Sequence, residues 1–215
     1  MHFHIITLFP ESFDSFLKTS IIWKAFSKWL FHATFYDLKW QAGVFEKVDD
    51  KAYGMHGQVM RVDVLWKKIE QIQATIWKKI PLVYFSPRWE KLTQKHLERD
   101  FETTQEYILL CGHYEGIDER VVSLYVDKLY SVWDYVLSGW ELPAQIYMDA
   151  LLRLIPWVLG NTKSMEEESF SQKLSWKKEY PLYTRPDVYK WLSVPSVLLS
   201  GNHKEIEKWK QENLI

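Results

Sequence analysis

The chain has 215 residues, of which 47% are hydrophobic and 26% charged, and its formal net charge is −1. This composition is typical of a globular protein with one large domain or two small ones, and it gives no overall electropositive signature. No apolar run approaches the ~20 residues that span a bilayer, and the first residues lack a signal-peptide pattern, so we expect a cytoplasmic protein without membrane contact. The lone cysteine, Cys111, excludes an internal disulfide and is expected to be a buried apolar residue.

Short apolar runs alternate with segments of helical periodicity, which predicts an α/β fold. The predicted strands are residues 3–9, 31–38, 82–85, 107–111 and 128–132, and the predicted helices are 13–30, 62–73, 94–100 and 144–155. Ligand sites of open α/β sheets lie at the carboxyl ends of strands. We therefore expect Ser86, Gly112 and Glu115, which follow two of these strands, to lie near one crevice.

The most irregular segment is residues 131–143, SVWDYVLSGWELP. Acidic residues at Asp134 and Glu141 bracket a short apolar piece, and Ser138 and Gly139 supply a turn. Such a segment is predicted to be a shaped loop whose backbone groups face a ligand rather than a neighbouring strand. A second loop, residues 47–60, fits either a mobile ligand-binding loop or a plain surface loop.

A polar, charge-rich segment divides the chain near residue 161. The sequence predicts a first domain over residues 1–160, a flexible linker over 161–174 and a small helical domain over 175–215. The last of these ends in an amphipathic segment that contains Ile206 and Trp209.

The standard nucleotide and metal motifs are missing from the sequence: it contains no G-x-x-x-x-G-K-[ST], no G-x-G-x-x-G after a strand and no Cys/His set with metal-ligand spacing. Other strings form a recognisable series: YFSPRWEKL (84–92), LLCGHYEGIDERV (109–121), SVWDYVLSGWELPA (131–144), RLIPWVLG (153–160), ESFS (168–171), YTRPDV (183–188) and PSVLLSGNHKEIEKWK (195–210). In this order, and over essentially the whole chain, they resemble the bacterial tRNA (guanine-N1)-methyltransferases of the TrmD type, in the SPOUT superfamily.

That resemblance implies a SPOUT-type α/β domain with a C-terminal deep trefoil knot, followed by an abbreviated helical domain that helps to hold tRNA. It implies a homodimer whose active site is shared between subunits, with S-adenosylmethionine as the methyl donor and magnesium as a possible cofactor. The implied reaction is methylation of N1 of the guanosine at position 37 of tRNA, immediately 3′ of the anticodon.

The resemblance also assigns site residues. The donor cradle falls on the residues that match the family's motif: Ser86, Pro87, Gly112, Val132, Trp133, Asp134, Tyr135, Val136, Leu137 and Gly139. Arg153 matches the arginine that stabilises negative charge on O6 of guanine, and Glu168 stands where the family has an aspartate as general base. The extra methylene of Glu168 displaces its carboxylate, so a solvated acidic linker that includes Glu166 and Glu167 is the alternative interpretation. His113 stands where the family commonly has arginine.

Tryptophan is over-represented, with 12 tryptophans against 8 glycines. Five tryptophans stand where the family usually has glycine and three more are plausible cases: Trp89, Trp133, Trp140, Trp157 and Trp191, then Trp23, Trp29 and Trp77. Glycine permits a positive φ or a close approach of backbone to ligand, which an indole opposes. One hypothesis is that the source genome reads UGA as glycine. If the tryptophans are genuine and block the donor cradle, the alternative function is a non-catalytic RNA-binding SPOUT relative.

Overall fold

The computed structural model describes residues 1–41, 47–160 and 167–215, without the side chains of residues 40 and 41. The chain divides into two compact units, Met1–Leu159 and Gly160–Ile215. Residues 161–166 of the predicted linker, including Glu166, lie outside the described residues. The assignment of a catalytic role to the first unit and a tRNA-binding role to the second stays a prediction.

The first unit is built on a five-stranded parallel sheet, so the predicted α/β class is confirmed. Its strands, in the spatial order β2-β1-β6-β5-β7, are β1 (His2–Thr7), β2 (His32–Asp37), β5 (Leu82–Phe85), β6 (Glu106–Leu110) and β7 (Lys128–Tyr130). A small antiparallel pair, β3 (Asp49–Lys51) and β4 (Gln58–Met60), lies outside this sheet. The helices of this unit are α1 (Asp14–Leu17), α2 (Ser20–Ser27), α3 (Leu38–Gln41), α4 (Val62–Ile76), α5 (Gln94–Thr103), α6 (Glu119–Tyr125) and α7 (Glu141–Leu152).

Two predicted boundaries were wrong for identifiable reasons. The single helix predicted over residues 13–30 is a 3₁₀ turn at Pro10–Phe13 followed by α1 and α2, because Ser20 takes a positive φ of 54° that breaks the helical path. Helix α7 begins at Glu141, three residues before the predicted start. Pro143 lies in its first turn, where the missing N–H has no helical partner to lose.

The sheet is buried on both faces, because alternate residues of its strands enter different apolar clusters. On β6, Tyr107 and Leu109 pack into one cluster, whereas Ile108 and Leu110 pack into the other. A strand covered on both faces needs a continuous apolar run, which is the pattern that predicted it. Cys111 is buried as expected, and burial raises the pKa of its thiol well above the usual value.

A buried polar network ties α5 to the sheet and to α7. The carboxylate of Asp100, fully buried, accepts hydrogen bonds from the hydroxyls of Tyr130 (2.9 Å) and Tyr147 (2.8 Å). The Lys128 ammonium lies 2.7 Å from the other carboxylate oxygen. Charge-assisted hydrogen bonds in a low-dielectric interior are strong, and each group here is costly to leave without its partner.

Replacing Asp100 with alanine should lower the free energy of unfolding by about 3–5 kcal/mol, because it leaves the Lys128 ammonium without a buried counter-charge. Urea unfolding of the full chain measures this. Asp14→Ala is the matched control: its pair with Lys18 has both side chains 66% exposed, so we expect a change below about 1 kcal/mol. Equal losses in the two variants would contradict the role given to the network.

The second unit contains a hairpin and two helices, so it is not purely helical. The hairpin pairs β8 (Val188–Tyr189) with β9 (Leu192–Ser193), and the helices are α8 (Ser196–Leu199) and α9 (His203–Glu212). Its Glu167 carboxylate accepts hydrogen bonds from Lys173, from Lys210 (2.8 Å) and from the Tyr180 hydroxyl (3.1 Å). Hydrogen bonds from Lys173 and Lys210 lower the pKa of Glu167 from 4.5 to about 2.

The lowered pKa of Glu167 predicts how the stability of the folded protein changes as the pH falls. A carboxylate whose pKa is depressed by folding stabilises the native state fully above its unfolded pKa, and that stability is lost as the pH falls through the folded pKa. The stability difference between the wild type and Glu167→Gln should therefore be largest near neutral pH and shrink between pH 4.5 and about 2. Unfolding measured at several pH values tests this, with Glu212→Gln as the exposed control. A difference that does not vary with pH would contradict it.

Candidate active site

The first unit has a cleft at the carboxyl ends of β5, β6 and β7. Its volume is about 230 Å³, and it is formed by three loops. The lining residues are Phe85, Ser86, Pro87 and Arg88 after β5, Tyr114 and Glu115 after β6, and Ser131, Val132, Trp133, Tyr135, Val136, Leu137, Gly139, Trp140 and Pro143 after β7. The crevice expected at this sheet edge is therefore present.

Eight of the ten residues assigned to the donor cradle line this cleft: Ser86, Pro87, Val132, Trp133, Tyr135, Val136, Leu137 and Gly139. The other two do not. Asp134 points to the solvent-exposed Lys91 ammonium, with which it forms an ion pair. Gly112 lies behind the cleft, where a Cβ atom would approach Tyr84 and Ile117 side-chain atoms at 3.2 Å. Sequence reasoning missed Arg88, although it directly follows the assigned Ser86 and Pro87.

Backbone hydrogen bonds fix the cleft loops to one another. The Ser86 amide donates to the Tyr130 carbonyl (2.9 Å), and the Leu92 amide donates to the Ser131 carbonyl (2.8 Å). The Ser131 hydroxyl donates to the Trp133 carbonyl (2.9 Å), which shapes the start of the irregular loop. Between residues 132 and 140 no strand or helix is formed, so most backbone groups there remain available to a ligand.

Gly139 is packed so closely that a larger residue would displace the side chains of His113 and Glu141. A Cβ atom there would lie 2.6 Å from a ring carbon of His113 and 2.8 Å from a carboxylate oxygen of Glu141. Below the loop, Nε2 of His113 lies 2.8 Å from both oxygens of Glu141, and the Thr7 hydroxyl donates to the same carboxylate at 2.6 Å. Burial opposes ionisation of Glu141, but hydrogen bonds from His113 and Thr7 outweigh it, so its pKa lies below the usual value. The ionised Glu141 carboxylate therefore holds His113 and Thr7 in place beneath the loop that contains Gly139.

Of the two assigned catalytic residues, Arg153 belongs to the first unit and does not line this cleft. Arg153 directly follows the last residue of α7, and its amide donates to the Asp149 carbonyl (3.1 Å). The cleft lies at the other end of α7, where Pro143 lines it. Because α7 has 12 residues, its two ends are about 18 Å apart. Glu168 belongs to the second unit.

Comparisons with known proteins place the chain in a family. The model of the family described as tRNA (Guanine-1)-methyltransferase TrmD matches residues 1–215. The tRNA (guanine-N(1)-)-methyltransferase of Clostridioides difficile (strain 630) is 42% identical over 218 residues, which cover 100% of this chain and 93% of that protein. The chain belongs to the TrmD family. The enzyme of the same description from Lachnospira eligens is 43% identical, with 100% of this chain and 90% of the relative covered.

A solved TrmD-family structure agrees with the fold. The crystal structure of the tRNA (m1G37) methyltransferase from Aquifex aeolicus superposes with a TM-score of 0.78 at 32% identity, covering 99% of this chain and 88% of that one. As a member of a methyltransferase family the chain is an enzyme, and the family implies S-adenosylmethionine as the methyl donor. Over the described residues, every helix is too short or too polar to cross a bilayer.

Proposed function

We propose that this TrmD-family chain transfers the methyl group of S-adenosylmethionine to N1 of the guanosine at position 37 of tRNA. The observation that carries the proposal is the cleft at the carboxyl ends of β5, β6 and β7, which gathers eight of the ten donor residues assigned by the family motif. The match of the family over residues 1–215 supports the same reaction.

The residues of the cleft suit the methyl donor. Backbone N–H and C=O groups between Val132 and Leu137 are not used in a sheet and can bond the edge of an adenine ring and a bent methionine. Gly139 allows the loop to lie close to the side chains of His113 and Glu141. Pro87 and Val136 line the cleft and can make apolar contacts with the donor. The donor, when bound, supplies an electrophilic methyl group, and the chain's residues orient it and exclude water.

Trp133 lines the cleft, whose volume of about 230 Å³ is smaller than the ~300–1,000 Å³ usual for such ligands. Replacing Trp133 with glycine should therefore lower the Kd for S-adenosylmethionine at least ~tenfold, equivalent to ~1.4 kcal/mol. Isothermal titration calorimetry measures this. Trp157→Gly is the control, because its indole is 79% exposed and does not line the cleft. Unchanged or weaker donor binding in Trp133→Gly would contradict the prediction.

Arg153 and Glu168 are the proposed catalytic residues. Methylation at N1 requires a base that removes the N1 proton and a positive charge near O6, where negative charge grows in the transition state. Arg153 supplies the charge. Glu167 is an unsuitable base, because three donors hold its carboxylate and its pKa is about 2. Glu168, which stands at the position of the family's general base, is proposed to take the proton.

We infer that the active unit is a homodimer. Arg153 lies ten residues, or about 15 Å along the helix axis, beyond Pro143 of the cleft, so we infer that the Arg153 acting at the reacting base belongs to a second copy. Exposed apolar side chains surround the cleft and continue along α7: Tyr135, Val136, Leu142 and Ile146. Leu142 and Ile146, four residues apart, share one helical face that a second copy can cover.

We propose three further features of the family for this chain. A deep trefoil knot in the C-terminal part of the first unit is supported by the likeness of the fold to that of the Aquifex enzyme. The second unit is proposed to contact tRNA. Magnesium is proposed to assist the reaction, and activity in the presence of a chelator, with magnesium restored, tests that proposal.

Methyl transfer to tRNA transcripts with guanosine or adenosine at position 37 tests the proposed function. We expect transfer to the guanosine transcript alone. Transfer to both transcripts, or to neither while S-adenosylmethionine binds, would overturn the assignment. Binding of tRNA without binding of S-adenosylmethionine would point instead to the non-catalytic alternative.

A further inference from the structure

Tryptophans take a left-handed backbone far more often than their number explains. Among the described residues, nine non-glycine residues have a positive φ, and four of these are tryptophans although only 12 of the 215 residues are. They are Trp29 (59°), Trp77 (58°), Trp157 (72°) and Trp176 (65°). Positive φ is uncommon outside glycine, and for a bulky residue it is a genuine outlier, because Cβ crowds the backbone.

Two of these positions are helix ends of the kind that glycine usually closes. Trp77 is the left-handed residue that follows α4, and its amide donates to the Ala74 carbonyl (3.3 Å). Trp29 follows the end of α2 in the same way, with its amide bonded to the Phe26 carbonyl (3.0 Å). A left-handed residue just after a helix is most often glycine.

The indoles of Trp77 and Trp157 add little packing to offset the strain. Trp77 is 93% exposed and Trp157 is 79% exposed. Trp209 contrasts with them, since it lies in α9 and its ring contacts those of Tyr180 and Tyr183, each at 6.3 Å between centroids. Trp23 lies inside α2 and shows no left-handed backbone, so this criterion does not support the glycine interpretation there.

We propose that positions 29, 77, 157 and 176 carry glycine in the protein made by its source cell, because UGA codons there are read as glycine. The backbone carries this proposal independently of the family, and it adds Trp176, which the family resemblance did not single out. Trp133 is not among the residues with a positive φ, so the backbone criterion, as for Trp23, does not extend to it.

The gene and the protein test the proposal directly. We expect UGA codons at the four positions and UGG at Trp209, and we expect glycine in peptides from the protein purified from its source cell. UGG codons at the four positions, or tryptophan in those peptides, would overturn it.

Recombinant variants test the physical basis separately. Trp77→Gly and Trp157→Gly should each raise the Tm by about 2–4 °C, because they relieve the strain of a left-handed backbone at a bulky residue. Trp209→Gly, the control, should lower the Tm. A lower Tm in all three variants would show that the left-handed tryptophans are not strained.

A second, independent observation concerns the amino end of the sheet, opposite the cleft. His2 and His4 are alternate residues of β1 and project from the same face, and Glu106 of β6 pairs in register with His2. Glu106 Oε1 lies 3.7 Å from His2 Nδ1 and 3.1 Å from His4 Nε2, and all three ligand atoms lie within 4.8 Å of one another. Ligands of a tetrahedral zinc ion are ~3.3 Å apart, given bonds of ~2.0–2.1 Å.

Each histidine has one ring nitrogen that faces Glu106 and a second that lies within hydrogen-bond distance of a hydroxyl group, as is usual for metal-binding histidines. His2 Nε2 lies 2.8 Å from the Thr34 hydroxyl, and His4 Nδ1 lies 3.0 Å from the Tyr36 hydroxyl. These hydroxyl partners orient the two imidazoles, so that His2 Nδ1 and His4 Nε2 face Glu106. The Lys78 ammonium contacts Oε2 of Glu106, whereas the histidines contact Oε1. Its positive charge lowers the affinity of the cluster for a cation.

We propose that His2, His4 and Glu106 bind one borderline divalent cation of the zinc, cobalt or nickel class. Two imidazoles and one carboxylate suit these ions, whereas magnesium prefers oxygen ligands alone. Side-chain exposure of 33% at His2 leaves room for a water as the fourth ligand. The ion would link β1 to β6 far from the donor cleft.

Titration of the untagged full-length protein with Co²⁺, followed by visible absorption, tests this site. We expect one ion per chain, with affinity reduced at least ~tenfold in His2→Gln and in His4→Gln. Affinity should increase in Lys78→Met and stay unchanged in His203→Gln, a control in α9. Equal binding by the wild type and both ligand variants, or binding only after Lys78 is replaced, would overturn the proposal.

Discussion

Replacing Glu168 with glutamine should reduce the rate of methyl transfer by about 10²–10⁴-fold, because the amide cannot accept the N1 proton of guanine. Single-turnover transfer to the guanosine-37 transcript measures the chemical step. The affinity for S-adenosylmethionine, measured by calorimetry, should be unchanged. The loss should therefore appear in kcat rather than in donor binding.

Glu167→Gln is the matched control for this prediction, since it removes the same charge from the neighbouring position. Its carboxylate is already held by Lys173, Tyr180 and Lys210, so we expect methyl transfer close to that of the wild type at neutral pH. If Glu167→Gln were the inactive variant, the base would have to be reassigned. Glu168→Asp adds a second comparison, because it restores the side chain that the family carries at this position.

Replacing Arg153 with alanine should reduce methyl transfer by about 10²–10³-fold, the usual effect of removing one group that stabilises a developing oxyanion. Arg153→Lys should retain part of the activity, because it keeps the charge but loses the planar donor pair. Donor binding should be normal in both variants. Activity of Arg153→Ala within about tenfold of the wild type would exclude a catalytic role.

Dimers formed from two different variants can distinguish an active site shared between subunits from one formed within a single chain. Gly139→Ala should disable the cleft, since the new Cβ would collide with His113 and Glu141. Mixing the inactive Arg153→Ala and Gly139→Ala proteins should restore activity if each site takes its cleft from one chain and its arginine from the other. No restoration, despite exchange of subunits, would contradict the dimer inferred from α7.

The sheet and the cleft could be predicted from sequence because their signals are local. The apolar run ending at Cys111 and the polar turn at Gly112 are contiguous, so the strand and the loop at its end can both be recognised. The irregularity of residues 131–143 likewise predicted a ligand loop that does line the cleft. Eight of the ten donor residues lie there, whereas their individual roles remain predictions.

Other features could not be predicted, because they depend on where elements end in space. Arg153 follows Pro143 by only ten residues, and nothing local shows that a helix carries it about 15 Å from the cleft. The ion pair that turns Asp134 toward Lys91 is also a tertiary contact. The left-handed backbone at Trp77 could not be predicted from amino-acid propensities, because tryptophan rarely adopts a positive φ.

The placement of Arg153 at the far end of α7 also has a consequence for how activity depends on the amount of enzyme. If two chains must meet before either site is complete, the working sites follow mass action, and activity per chain falls on dilution below the dissociation constant of the pair. At low abundance the cell would then lose methylation more steeply than it loses protein. A fall in expression, rather than a defect in chemistry, would be enough to silence the reaction.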